Sequence, residues 1–246
     1  MQPTTPPEVR LAATMVLVRD APFEVLMVRR HAKAVFASAL VFPGGAVDDG
    51  DYSDDWMPLL ASGADLPIPE RAIRIAGIRE TFEETALLLA TRRDGMPVTQ
   101  PERTNAPFID IVRSSGGRLR LDDVAHFGHW ITPEAAPRRF DTHFLLAKAP
   151  TGQQAIADGG ETVDLEWASP AEVIERATTD TQSIMFPTLL NLMRLAESTD
   201  SATALATAAA RLPFTVLPVV ETRPDGNTMV VIPPEAGYGV TEHPGP

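Results

Sequence analysis

Two hydrophobic periodicities alternate along the chain, and each change between them marks a new element. Residues 9–18 and 24–28 are nearly continuous apolar runs on either side of Asp20, Ala21 and Pro22. Apolar runs joined by such a turn predict two strands of a hairpin in a buried sheet. Residues 39–42 read as a further short strand that leads into a turn of Pro43, Gly44 and Gly45. From 48 to 70 the chain is rich in Asp, Gly, Ser and Pro, with one apolar island at Trp56, Met57, Pro58, Leu59 and Leu60. That composition predicts a long loop. Ile75, Ile78, Phe82 and Leu89 then recur at roughly helical spacing, with Ala72, Ala76 and Ala86 small enough for close packing. The spacing predicts an amphipathic helix over 70–89, with Pro69 as its starter and Glu70 in its first turn.

Beyond it, Phe108, Ile111 and Val112 predict a helix over 102–114 that stops at Gly116 and Gly117. Aromatic and aliphatic content predicts strands over 126–131, 140–147 and 162–167. Ser169, Pro170 and Glu172 read as a capped helix start, and helices are expected over 183–197 and 201–211. A final hairpin is expected from 215–220 and 229–232 around Asp225, Gly226 and Asn227, followed by a Pro- and Gly-rich tail, 234–246, expected to fray. Residues 1–246 can bury a full core as one domain.

Composition narrows the function. A formal charge of -12 argues against general nucleic-acid binding, which needs a basic face. The chain has no cysteine, so disulfides and thiolate ligands are excluded and any metal must be held by oxygen or imidazole. No run of eighteen apolar residues and no signal-like start is visible, which leads us to expect a cytoplasmic protein without a membrane span. His126, His129 and His143 have no recognised ligand spacing, so an imidazole metal site is the less favoured reading.

The helix over 70–89 holds the strongest chemical signal. Glu80, Glu83 and Glu84 stand at i, i+3 and i+4 and project from one side, where like charges repel unless solvent or a divalent cation offsets them. Arg79 precedes them, and the Gly44–Gly45 turn lets backbone approach a ligand or ion closely.

Together, Gly45, Arg79, Glu80, Glu83 and Glu84 resemble the box of the nudix hydrolase superfamily, with Asp51 where the family has Glu. Thr81 replaces an aliphatic residue, Ala86 replaces the closing glycine and Leu87 fits the last position. Residues 52–78 stand where the family has seven, so an insertion of about twenty residues, near 52–69, splits the box. A split box resembles the nudix-19-type coenzyme A diphosphatases, as do the stretches 138–147, 161–172 and 212–218 in that order.

The resemblance implies an α/β fold: a nudix α/β/α sandwich with a mixed sheet, an insertion inside the box and extra C-terminal helices, 183–211. It implies Mg²⁺ or Mn²⁺ held by Glu80, Glu83, Glu84 and the carbonyl of Gly45, with Arg79 fixing a carboxylate and Glu161 or Glu80 as the base. The implied substrate is coenzyme A or acyl-coenzyme A, cleaved to 3',5'-ADP and (acyl-)4'-phosphopantetheine. Gly44 and the arginine pairs Arg29, Arg30 and Arg138, Arg139 are the candidate phosphate contacts. The insertion reads equally as a lid or as a packed excursion anchored by Trp56. Rival readings are hydrolysis of an ADP-ribose, a dinucleotide or an RNA cap, or a non-catalytic nucleotide-binding regulator. The resemblance also allows a homodimer. Nothing at the C-terminal end matches a peroxisomal signal.

Overall fold

The computed structural model describes residues 7–31, 39–179 and 184–245. In chain order the strands are β1 (Val9–Arg19), β2 (Glu24–Arg30), β3 (Leu40–Val41), β4 (Gly44–Ala46), β5 (Leu60–Ser62), β6 (Ala90–Thr91), β7 (Arg118–Arg120), β8 (Ala125–Ile131), β9 (Arg139–Lys148), β10 (Thr162–Ala168), β11 (Thr215–Val216), β12 (Val219–Thr222), β13 (Thr228–Val231) and β14 (Glu242–Pro244). The helices are α1 (Ile68–Thr85), α2 (Phe108–Ser114), α3 (Pro170–Thr178), α4 (Phe186–Leu195) and α5 (Ser201–Ala210).

The main sheet has the order β10-β2-β1-β9-β8-β11, with β3 added to β2 and β4 added to β1. It is mixed: β1 runs parallel to β9 and antiparallel to β2 and β4. Alternation along β1 divides the core. Ala13, Met15 and Leu17 face α1, whereas Val16 and Val18 join Phe186, Leu190 and Leu195 of α4 and Ala204 and Ala208 of α5. The sheet therefore lies between two helical layers, as expected for an α/β/α sandwich. Gly77 lets α1 approach closely, because a Cβ there would lie 2.8 Å from Leu145 and 3.2 Å from Met15. Among the described residues, no helix is long and apolar enough to cross a membrane.

Helix α1 begins at Ile68, two residues before the expected start, because Pro67 and Pro69 suit the first turn. It ends at Thr85 instead of 89, where Ala86 adopts a left-handed conformation (φ 60°) and its N–H still bonds the Phe82 carbonyl. Ala86 thus performs the turn that a glycine makes without steric penalty. A branched side chain cannot follow it there. Ala86→Val is expected to destabilise by about 2 kcal/mol, as strained backbone does, while Ala86→Gly is tolerated. Urea unfolding of the two variants checks this; equal stability would remove the constraint.

The insertion is packed. Trp56 is 2 % exposed, its Nε1 donates to the Gly50 carbonyl at 3.0 Å, and its ring lies 5.6 Å from that of Phe108. Leu60 pairs with Leu119, so the insertion contributes β5 to a small sheet, β5-β7-β6, absent from the sequence expectation.

Three further expectations are corrected. Residues 102–107 are not helical; α2 starts at Phe108, after Pro107, which removes a donor and disfavours helix at Ala106. The C-terminal hairpin is β12–β13, whereas Thr215 and Val216 leave it to run parallel to His129 and Trp130. The tail expected to fray packs as far as Gly245. Its Tyr238 is buried, donates to Asn191 and accepts from Trp130, and β14 pairs with β13. Helix α4 begins at Phe186, and Ser183, the expected start, lies outside the described residues.

Candidate active site

The box residues meet where the C-terminal half of α1 crosses β4. Gly45 pairs with Ala13 of β1, and a Cβ on Gly45 would lie 2.5 Å from the Glu80 carboxylate, so only glycine leaves room for that side chain against the strand. One residue earlier, the Gly44 N–H donates to Glu84 Oε2 at 3.1 Å. Glu84 is 4 % exposed, and Glu83 is about half exposed.

Arg79 is the hub. Its Nε and Nη2 donate to the two oxygens of Asp51 at 3.0 and 2.9 Å, Nη2 also reaches the Ala46 carbonyl at 2.9 Å, and Nη1 serves Glu80 (2.7 Å) and Glu83 (3.0 Å). Asp51, 2 % exposed, thus occupies the box's first carboxylate position as a partner for the arginine. Asp48 lies 3.6 Å from the same guanidinium and was missed in the sequence; its spacing of three from Asp51 is the signal that could have found it.

The electrostatics follow from burial. Burial pushes the Glu80 carboxyl up to about 7; Arg79 opposes this, and the charges of Glu83 and Glu161 add to it. Glu83 is likewise raised by burial against the pull of Arg79, with Asp51 and Asp48 adding to the rise. Burial works to lower the Arg79 pKa, but the Asp51 hydrogen bond and the carboxylates around it raise it further.

Glu161 arrives from another part of the chain. Asp158 receives the N–H groups of Gly160, Glu161 and Thr162 at 3.2, 3.0 and 2.7 Å and so shapes the bend that carries Glu161. The Ile156 N–H bonds the Thr85 carbonyl, and Arg103 bridges the carbonyls of Glu83, Ile156 and Ala157 at 3.2, 2.9 and 2.7 Å. The loop is therefore pinned to the C-terminal end of α1. Arg103 had no sequence signal, since it acts through backbone carbonyls far away in the chain, whereas Asp158 bonds N–H groups just after it, and the turn-forming run Asp158, Gly159, Gly160 is the signal that could have found it.

The arginine pairs fall in different places. The end of β2 reaches Glu161: Arg29 pairs with Asp164, Arg30 with Thr162, and the His31 N–H bonds the Glu161 carbonyl. The Arg30 side chain and Lys33 lie outside the described residues. Arg138 is exposed, and Arg139, at the start of β9, donates from Nε to the Thr132 carbonyl at 3.2 Å.

This donor set fits a hard divalent cation. The ligand atoms are carboxylate oxygens, the glycine cradle leaves the backbone open, and one guanidinium is shared among several acids. A protonated Glu80 cannot ligate. Affinity for Mn²⁺ should therefore fall about tenfold per pH unit below pH 7 and level off above it. Electron paramagnetic resonance titration of Mn²⁺ from pH 5 to 9 checks this; a flat profile removes Glu80 from the ligand set.

A family model described as the NUDT19 Nudix domain matches residues 62–195. The chain is 25% identical over 206 residues to the acyl-coenzyme A diphosphatase NUDT19 of Xenopus laevis, covering 62% of this chain and 54% of that protein. It is 28% identical over 255 residues to the Gallus gallus protein of the same name, covering 76% and 68%. Across four of the curated relatives it matches, the chain spans between 54% and 68% of their lengths. A crystal structure of a NUDIX hydrolase from Alicyclobacillus acidocaldarius superposes with a TM-score of 0.66 at 25% identity, over 83% of this chain and 99% of that one.

Proposed function

The chain belongs to the Nudix family, in the branch described by the NUDT19 Nudix domain, and from that premise we propose that it hydrolyses the diphosphate of coenzyme A or acyl-coenzyme A. The products are 3',5'-ADP and (acyl-)4'-phosphopantetheine. The observation that carries the chemistry is that Glu80 and Glu83 share Arg79 while Glu80 lies against Gly45 and Glu84 accepts the Gly44 N–H. The substrate rests on the acyl-coenzyme A diphosphatases among the relatives.

Attack on a diphosphate is slow because anionic oxygens repel the nucleophile. Held by Glu80, Glu83, Glu84 and the Gly45 carbonyl, Mg²⁺ or Mn²⁺ would supply positive charge at the phosphoryl oxygens and acidify the attacking water. Arg79 orients Glu80 and Glu83 by hydrogen bonds. We assign the proton of the water to Glu161, since Glu80 is assigned to holding the metal and Glu161 stands exposed near it. Arg29 and Arg30, on the strand end next to Glu161, are assigned to phosphate oxygens; Arg139 instead bonds the Thr132 carbonyl at the start of β9, and among the described residues no contact brings it or Arg138 to Glu161.

The test is product analysis by mass spectrometry with coenzyme A, acetyl-coenzyme A, dephospho-coenzyme A, ADP-ribose, NADH, a diadenosine polyphosphate and capped RNA, with and without Mg²⁺ or Mn²⁺. Metal-dependent 3',5'-ADP with phosphopantetheine is the expected result. Products from the other substrates alone would retain the hydrolase and discard coenzyme A. No product from any of them would favour a binding role.

A further inference from the structure

The three histidines without a sequence pattern converge in space. His129 of β8 and His143 of β9 are cross-strand partners, and His143 is in register with Ala13 of β1. Register partners share a sheet face. Ala13 and Leu145 on that face contact the position of Gly77, so the histidines lie on the side covered by α1. Asp141, two residues from His143 on the same strand, points the same way.

The rings of His129 and His143 stack with centroids 4.0 Å apart, and His126 lies edge-on to both at 6.3 and 5.7 Å. His129 Nε2 touches Asp141 Oδ1, from which His143 Nε2 is 3.8 Å away. One ligand atom from each of His129, Asp141 and His143 falls within 4.8 Å of the others, and all three side chains keep partial access to solvent.

We propose that His129, Asp141 and His143 form a second metal site, for an imidazole-preferring divalent transition ion such as Zn²⁺, separate from the carboxylate cluster of α1. Two nitrogens and one carboxylate oxygen with room for water form a donor set that suits Zn²⁺ and not Mg²⁺. No oxygen of Glu80, Glu83 or Glu84 joins this group of ligand atoms, so the two sets of donors are distinct.

Thr215 provides the outer support. Its Oγ1 lies 2.8 Å from His129 Nδ1, so with Nδ1 protonated and donating to Thr215 the Nε2 lone pair faces Asp141. A lone pair against a carboxylate needs a metal ion or a second ring proton between them. The competing arrangement reverses the tautomer: Thr215 donates to Nδ1, and Nε2–H donates to Asp141 as an ordinary hydrogen bond. The ion would tie β8 to β9 and, through Thr215, to β11.

The experiment is a Zn²⁺ titration of the full chain in excess Mg²⁺, followed by calorimetry and by imidazole ¹⁵N resonances. One Zn²⁺ per chain is expected, with the Nε2 resonances of His129 and His143 shifted and His129 in the Nδ1–H form. His143→Ala and Asp141→Asn should weaken binding by at least about a hundredfold, and Thr215→Val by about 10- to 100-fold, as loss of an outer-shell partner does. Undisturbed His129 and His143 resonances, a persistent Nε2–H on His129 under Zn²⁺, or unchanged affinity in folded variants would each overturn the proposal. The resonances of the unmodified chain decide the matter even where a variant does not fold.

Discussion

Glu83→Gln and Glu84→Gln are each expected to lower kcat by about a thousandfold, because the several kcal/mol of charge stabilisation that a divalent ion contributes corresponds to that factor at 1.36 kcal/mol per decade. Gln keeps the size of Glu and removes the anionic oxygen. At position 83 the side chain is about half exposed and bonds Arg79, which keeps Asp51, Glu80 and the Ala46 carbonyl without it. Glu83→Gln should therefore melt within a few degrees of the parent. Glu84 is nearly buried and accepts the Gly44 N–H, a bond the Gln carbonyl oxygen can still receive. The measurements are kcat for metal-dependent release of 3',5'-ADP, Mn²⁺ affinity and thermal melting on the same samples. Turnover within a factor of ten of the parent in a folded variant that has lost Mn²⁺ affinity would separate the carboxylates from the reaction.

What could be read from the sequence was local. Glu80, Glu83 and Glu84 lie within one and a half turns of a single helix, and their geometry follows from helical spacing alone. The apolar runs of β1 and β2 likewise announce a buried sheet, since alternation cannot be seen in strands covered on both faces. Contacts made across the chain were hidden. Arg103 pins the loop before Glu161 by bonding backbone carbonyls, and no residue pattern marks a backbone acceptor twenty or fifty residues away. The histidine cluster was hidden for a different reason. Metal motifs are recognised by spacing along one segment, whereas His129 and His143 meet because β8 and β9 are antiparallel neighbours. The packed insertion turned on Trp56 finding Phe108, a pairing that composition allowed without requiring. The splitting of the last hairpin at Leu217 and Pro218 reflects a donor that proline lacks, which was visible but outweighed by the apolar run around it.

Arg79→Ala is expected to destabilise the metal-free protein by about 3–5 kcal/mol, the penalty for leaving a buried charge without its partner. The charge is Asp51, which is 2 % exposed and receives both arms of the guanidinium. Asp51→Ala should cost less, because Arg79 then retains Glu80, Glu83 and the Ala46 carbonyl. Arg79→Lys should fall near Arg79→Ala, since an ammonium cannot serve Asp51 bidentately and reach Glu80 and Glu83 as well. The combined variant Asp51→Ala with Arg79→Ala removes both charges together, so its loss should be well below the sum of the separate losses. Urea unfolding at pH 7 in chelator gives all four values. Strict additivity would mean that the pair is not coupled and that Arg79 is held by Glu80 and Glu83 instead. In the coupled case the short acid at 51 has a physical purpose: it anchors the arginine, and the arginine holds Glu80 and Glu83 at the edge of the Gly44–Gly45 strand.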